Sequence, residues 1–152
     1  AMAFETTRIA TVNDIGGILD LIQPLEQSGV LVKRAREELE LHIENFVVME
    51  RDGTILACAA LHPYYEHKVG ELACVAVSSD YQGSRRGEQL LKAIQNQAIR
   101  LKLSTLYVLT TQAAHWFLEQ GFVAAEISDL PVEKQSLYNY QRNAKVLKKI
   151  LL

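Results

Sequence analysis

The sequence predicts a mixed α/β domain, a sheet with helices on its faces, and three observations predict it. Leu90, Leu91, Ile94, Ala98 and Leu101 form one helical stripe, so a helix is expected from Gly87 to Lys102. Two apolar runs, Phe46 to Glu50 and Thr54 to Leu61, flank Arg51-Asp52-Gly53, and an Asp-Gly pair in that setting signals a hairpin. A third run, Glu71 to Val77, is almost wholly apolar after its first residue. Alternation disappears when neither face meets water, so this run reads as a strand buried on both sides.

The other elements follow along the chain. Asn13 is placed to cap a helix carrying Ile15, Ile18, Leu19 and Ile22, which Pro24 should bend or end. Gly29 breaks the pattern, and Arg36 to Asn45, with Leu39 and Ile43, reads as a second short helix. After the long helix come a strand from Leu106 to Leu109 and a short helix from Ala113 to Gln120, ending at Gly121 as a C-cap. Phe122 to Ala125 reads as another strand, followed by a loop around Pro131. Periodicity leaves Asn139 to Leu152 as either strand or helix. Helices first, then a strand meander, then strand-helix-strand-helix-strand: this order implies the mixed sheet.

Composition bounds the function without selecting it. A chain of 152 residues, 49% hydrophobic and 22% charged, is sized for one domain, here residues 4–152 after a scar-like Ala1-Met2-Ala3. Sixteen basic against eighteen acidic residues give a formal charge of -2, which argues against nucleic acid as a partner. Cys58 and Cys74 form no C-x-x-C pair and no disulfide framework, so a reducing, cytoplasmic setting is expected. No apolar run is long enough to span a membrane, and none reads as a secretory signal.

One loop offers chemistry. Tyr81-Gln82-Gly83-Ser84-Arg85-Arg86-Gly87-Glu88 joins the buried strand to the strong helix. Backbone N–H groups at a helix N-terminus make a ready anion site, and the glycines permit close approach. An ordinary polar loop is the plainer reading. It is not a P-loop, lacking the Gly-Lys-Ser/Thr ending, and it does not match G-x-G-x-x-G.

The order Gln82-x-x-x-x-Gly87-x-x-Leu90-Leu91 after an apolar strand resembles the acetyl-CoA pyrophosphate loop of the GNAT acetyltransferases. Ala114-His115-Trp116-Phe117-Leu118-Glu119-Gln120-Gly121-Phe122 resembles that superfamily's later signature, a helix closing on Gly-Phe. A longer ordered set resembles the acetyltransferase domain of the bacterial N-acetylglutamate synthases. It comprises Pro24-Leu25-Glu26, Leu31-Val32-Lys33-Arg34, Ala57 to Leu61, Glu71-Leu72-Ala73-Cys74, Val108 to Thr111, His115-Trp116-Phe117 and Leu137 to Arg142. The resemblance implies a GNAT-like sheet, mixed but mainly antiparallel, with helices on both faces. It implies acetyl transfer from acetyl-CoA, without a metal, to the α-amino group of L-glutamate, the entry step of arginine biosynthesis.

The same resemblance distributes roles. The CoA pyrophosphate would meet the backbone at Gln82, Gly83, Ser84, Arg85, Arg86, Gly87 and Glu88, with the pantetheine arm beside Val75, Ala76 and Val77. Glu71 would be the general base, directly or through water, since an α-ammonium must lose a proton before it attacks. Thr110 matches a hydroxyl position suited to protonating the thiolate, and it equally suits an N-cap. Arg34 and Arg142 would hold the two substrate carboxylates, with Val32, Lys33 and Cys74 nearby. A bulge in the buried strand could offer a backbone N–H at Cys74 or Val75 to the oxyanion. The Cys74 thiol reads as core rather than nucleophile, because an apolar run raises a thiol pKa.

The chain departs from these patterns at three places. Arg85 stands where the loop often has glycine, and Phe117 stands where the superfamily often has an acidic tyrosine. Ala144 stands where some synthases carry a serine two residues after the second arginine. Two rival functions follow: a GNAT enzyme for another amine, and a silent acyl-CoA-binding domain. His62 and His67 read as surface histidines and His115 as packing beside Trp116, with no metal-ligand spacing. Lys145, Lys148 and Lys149 suit a helix face or a protected edge strand. Full-length synthases of this kind carry an amino-acid-kinase-like domain, linked to arginine feedback, before the acetyltransferase. An excised module and a short stand-alone enzyme are both compatible with 152 residues, and so is a homo-oligomer.

Overall fold

The structure, a computed structural model, describes residues 4–83, 85–135 and 143–151. The chain packs as two compact units, Ala1–Ala60 with Cys74–Ile94 and Leu61–Ala73 with Gln95–Leu152.

The first unit opens with a strand that the sequence reading did not anticipate, β1 (Glu5–Ile9). It pairs antiparallel with β2 (Phe46–Arg51), Ile9 opposite Val47. Helices therefore do not come first. The pattern of β1 hides it: four of its five residues are exposed, so it has no apolar face to read. Arg8 pins it in place, donating at 2.7 and 2.9 Å to the buried carboxylate of Asp14 and at 2.5 Å to Glu50.

Helix α1 (Ile15–Gln27) buries Ile15, Ile18 and Ile22 as the periodicity requires. Asn13 is not its cap. It lies inside a 3-10 turn, Val12–Asp14, whose entry is closed by Thr11 and Asp14, with Thr11 N donating to the Asp14 carboxylate at 2.8 Å. Pro24 does not end the helix either. Sitting in the last turn, it forfeits only its own N–H, and its carbonyl still accepts from Ser28 N at 3.1 Å. Helix α2 (Arg36–His42) turns its Leu39 inward and tightens into a 3-10 turn, Ile43–Asn45.

The expected hairpin is present. Strand β2 pairs antiparallel with β3 (Thr54–Tyr64), and Asp52 and Gly53 both take positive φ, 51° and 82°. That pair of angles is the primed turn whose twist matches the flanking strands. The core of this unit gathers Ile15, Ile18 and Ile22 with Leu39, Phe46, Val48, Cys58, Ala60, Cys74 and Ala76. The last two belong to β4 (Val69–Val77), from which the chain runs into helix α3 (Arg86–Arg100).

In the second unit the first half of β4 pairs parallel with β5 (Thr105–Thr110), Glu71 opposite Tyr107. A parallel pair needs a long crossover, and α3 lies between the two in sequence. Strand β5 pairs antiparallel with β7 (Lys145–Ile150), which also holds the two-residue β6 (Val123–Ala124). Of the segment that periodicity left undecided, Lys145–Ile150 is thus a strand, while residues 139–142 and 152 lie outside the described residues. Helix α4 (Ala114–Glu119) ends at Gly121, whose φ of 94° is the left-handed C-cap expected there. The loop around Pro131 contains a further turn of helix, α5 (Val132–Gln135).

Candidate active site

Strand β4 carries the densest set of candidate groups, and its sequence shapes it. A Cβ at Gly70 would lie 2.6 Å from Leu61 Cδ1 and 3.0 Å from Leu103 Cδ1, so a larger residue would make these leucine side chains shift. The next residue, Glu71, is 7% exposed. It is the third residue of the strand, which begins two positions before the start that the apolar run suggested. Its Oε2 lies 2.9 Å from Lys134 Nζ, and both side chains are nine-tenths buried. Tyr64 stands close by, half-buried, its hydroxyl pushed up to about 12 by burial and then by the charge on Glu71.

Lys134 is the functional candidate that sequence reasoning missed. It comes from α5, in a segment read only as loop, and nothing local in Pro131-Val132-Glu133-Lys134 marks it as the partner of a β4 carboxylate.

Three residues beyond Glu71, in the first unit, Cys74 has φ 52°. A non-glycine residue in the left-handed region inside a strand breaks the pleat, and this is the irregularity expected around Cys74 and Val75. The parallel pairing with β5 runs only as far as Leu72. The Cys58 thiol donates to the Cys74 carbonyl at 3.3 Å, and burial raises its pKa, holding it as a thiol. Cys74 is 4% exposed and belongs to the core, as expected. Ala76 is buried beyond it, with Val75 and Val77 half-buried.

The loop after β4 leads into the N-terminus of α3. Gln82 Nε2 donates to the Val77 carbonyl at 3.3 Å, fastening the loop to the strand end. Gly83 and Arg85 both have positive φ, 83° and 66°. Arg85 thus adopts the backbone that glycine would take at lower cost, and its exposed side chain pairs with Glu88 at 3.1 Å. Helix α3 starts at Arg86, so the first-turn N–H groups of Arg86, Gly87 and Glu88 have no acceptor within the helix. Ser84 lies outside the described residues.

The Arg86 side chain is engaged within the protein. The guanidinium is held by Glu5 and by the Tyr81 carbonyl at 3.0 Å, and it stacks 4.9 Å over the Tyr81 ring. It ties the loop to β1, and the same contact draws the Glu5 carboxyl below its ordinary value.

Arg34 is anchored through its backbone N–H, which donates to Glu26 at 2.7 Å, while its side chain is largely buried beside Glu38. Its Nε is buried and has no hydrogen-bond partner among the described residues. Val32 and Lys33 are exposed, and Arg142 lies outside the described residues.

In the second unit, Thr110 ends β5, and its Oγ1 accepts from Ala113 N at 2.9 Å. This closes the turn that precedes α4 and is not the helix cap expected of it: the N-cap is Ala113, with no side-chain hydrogen bond to the helix. Phe117 packs edgewise on Trp116 and Phe122, 3% exposed, and offers no acid. His115 does not pack beside Trp116 as expected; its side chain is 89% exposed, 3.8 Å from Glu119. His67 is exposed as read and lies 3.2 Å from Glu133, whereas His62 is half-buried rather than on the surface. Among the described residues no three His, Cys, Asp or Glu side chains converge as metal ligands, and no helix is long and apolar enough to cross a membrane.

The acetyltransferase (GNAT) family model matches residues 17–122, which include most of α1, the hairpin, β4, the loop, α3 and α4. The chain belongs to the GNAT family. It is 58% identical over 143 residues to amino-acid acetyltransferases of Serratia proteamaculans and Proteus mirabilis, covering 94% of this chain and 32% of theirs. It therefore spans about a third of the length of the curated relatives it matches. Among solved structures it resembles N-acetylglutamate synthase from Neisseria gonorrhoeae complexed with coenzyme A and N-acetyl-glutamate. There the identity is 40% and the TM-score 0.94, over 100% of this chain and 36% of that one. Rv2747 from Mycobacterium tuberculosis, at 21% identity and TM-score 0.84 over 97% of this chain, shares the fold.

Proposed function

We propose that this GNAT chain transfers the acetyl group of acetyl-CoA to the α-amino nitrogen of L-glutamate, giving N-acetylglutamate and CoA. The observation that carries this reading is the match, at 40% identity over the whole of this chain and 36% of the other, to a synthase complexed with coenzyme A and N-acetyl-glutamate. The naming of the 58% identical relatives as amino-acid acetyltransferases supports it.

The residues suit the chemistry. Glu71 accepts a proton from the α-ammonium, directly or through water, and frees the nitrogen lone pair. That nitrogen forms a bond to the thioester carbonyl carbon. A backbone N–H near the kink at Cys74 stabilises the oxygen that becomes negative. The carbon–sulfur bond then breaks; the nitrogen gives up its second proton as the amide forms and the departing thiolate gains one, with the Thr110 hydroxyl a candidate to donate to sulfur and be reprotonated in turn. Arg34 meets one substrate carboxylate; its buried Nε supports this, because such a donor costs free energy until an acceptor arrives. Arg142 is assigned the other by family resemblance. The loop from Gln82 to Glu88 meets the CoA pyrophosphate through backbone N–H groups, and Val75, Ala76 and Val77 flank the pantetheine arm. Cys58 and Cys74 are buried and not in a disulfide, which suits the reducing cytoplasm where we place the reaction.

A thiol-release assay with acetyl-CoA and a panel of amino acids tests the assignment. Glutamate should be the fastest acceptor; no turnover above background with glutamate rejects it. Ala144, 2% exposed and without a hydroxyl, favours a second reading, a GNAT enzyme acting on a different amino acid. The same panel separates the two.

A further inference from the structure

We propose that Lys134 is the positioning residue of the acetyl-transfer base, holding Glu71 through its Oε2 so that Oε1 receives the proton. This rests on the reading of Glu71 as base.

The geometry supports it from both sides. Glu71 is fixed in β4 by pairing opposite Tyr107 and by the tight packing at Gly70. Lys134 is fixed independently, its backbone N–H donating to the Pro131 carbonyl at 2.8 Å. In the same turn Gln135 Nε2 donates at 2.8 Å to the carbonyl of buried Leu130. The ammonium and carboxylate meet at 2.9 Å, beside a cavity lined by Tyr64, Gly70, Tyr107 and Pro131. A carboxylate on an otherwise unrestrained side chain would sample several rotamers, whereas one oxygen held by a rigidly mounted cation leaves the other with a defined direction.

The residue type is informative too. Burial disfavours a carboxylate's charge, and an ammonium balances it where a neutral amide would not. A buried ion pair gives little net stability over well-packed apolar side chains. Its place on the strand that turns left-handed at Cys74 favours a role in the reaction.

The test compares Lys134→Met, Lys134→Arg, Glu71→Gln and the double variant Glu71→Gln/Lys134→Met, each with acetyl-CoA and whichever amino acid the unmodified chain uses fastest. That choice of acceptor keeps the result separate from the glutamate assignment. Lys134→Met should lower kcat about 30-fold or more while changing the acceptor KM less than about threefold. Lys134→Arg should restore much of the loss. Adding Lys134→Met to Glu71→Gln should change kcat less than about twofold, because the group it orients is gone. The proposal is overturned if Lys134→Met alone keeps kcat within about twofold. It is equally overturned if Lys134→Met lowers kcat by the same factor in both backgrounds. Should Lys134→Met fail to fold, the double variant, which leaves no buried charge unpaired, still decides: equality with Glu71→Gln supports the proposal and a further loss overturns it.

Discussion

At the residue scale, Arg34 shows how a side chain can be built for a ligand. Its backbone is fastened to Glu26, its side chain is largely buried, and its Nε faces no acceptor among the described residues. If a glutamate carboxylate supplies that acceptor, Arg34→Ala should raise the glutamate KM by about 10- to 100-fold, the range of a lost charge-assisted contact. Steady-state kinetics at saturating acetyl-CoA reads this, and an unchanged KM would remove Arg34 from the carboxylate site. The contrast with Arg86 is instructive. Adjacent arginines in one loop read alike in sequence, but one is exposed and the other is spent on Glu5 and Tyr81. Charge alone did not distinguish them, because what a guanidinium can bind depends on what already surrounds it.

At the scale of elements, strong periodicity was legible and polar or short pieces were not. The stripe from Leu90 to Leu101 located α3 within a residue or two, and Asp52-Gly53 located the hairpin. Strand β1 escaped because an edge strand with four exposed residues carries no alternation. What holds it is a side-chain network, and that network has a pH signature. The guanidinium of Arg8, hydrogen-bonded to Asp14, lowers the Asp14 carboxyl below its ordinary 3.8. A group depressed in the folded state contributes stability that is fully present above its unfolded value and is lost as pH falls through the folded one. Arg8→Met should therefore cost about 1–3 kcal/mol at pH 7, since it strands a buried carboxylate but removes a partly exposed partner. Urea unfolding from pH 7 downward checks this: the gap between the two proteins should narrow below 3.8, and a gap independent of pH would exclude the pair as its source.

At the scale of the whole molecule, the family is established by a match through residues 17–122, and the reaction is inferred from relatives about three times as long. A direct check on the inferred co-substrate needs no turnover. A ligand that binds only the folded chain stabilises it by about 2.7 kcal/mol at a hundred times its Kd. For a chain of this size, CoA at that concentration should raise Tm by roughly 5–10 °C. A thermal unfolding scan with and without CoA measures it; an unmoved midpoint at millimolar CoA would argue against the loop from Gln82 to Glu88 as its site.

What the sequence determined by itself was local or carried in order along the chain: the apolar stripe of α3, the Asp-Gly turn, and the Gln82–Leu91 and Ala114–Phe122 motifs with the fold and family they imply. Each is written in residues a few positions apart, where backbone geometry sets the spacing. Tertiary structure decided which side chains meet. It placed Lys134 against Glu71, aimed Arg86 at Glu5 instead of at an anion, and buried Arg34 Nε away from any described acceptor. Such pairings depend on burial and on distances across the folded chain, and neither a window nor a motif encodes them. The candidate base was therefore legible in the sequence, and its cationic partner became visible only when the chain was folded.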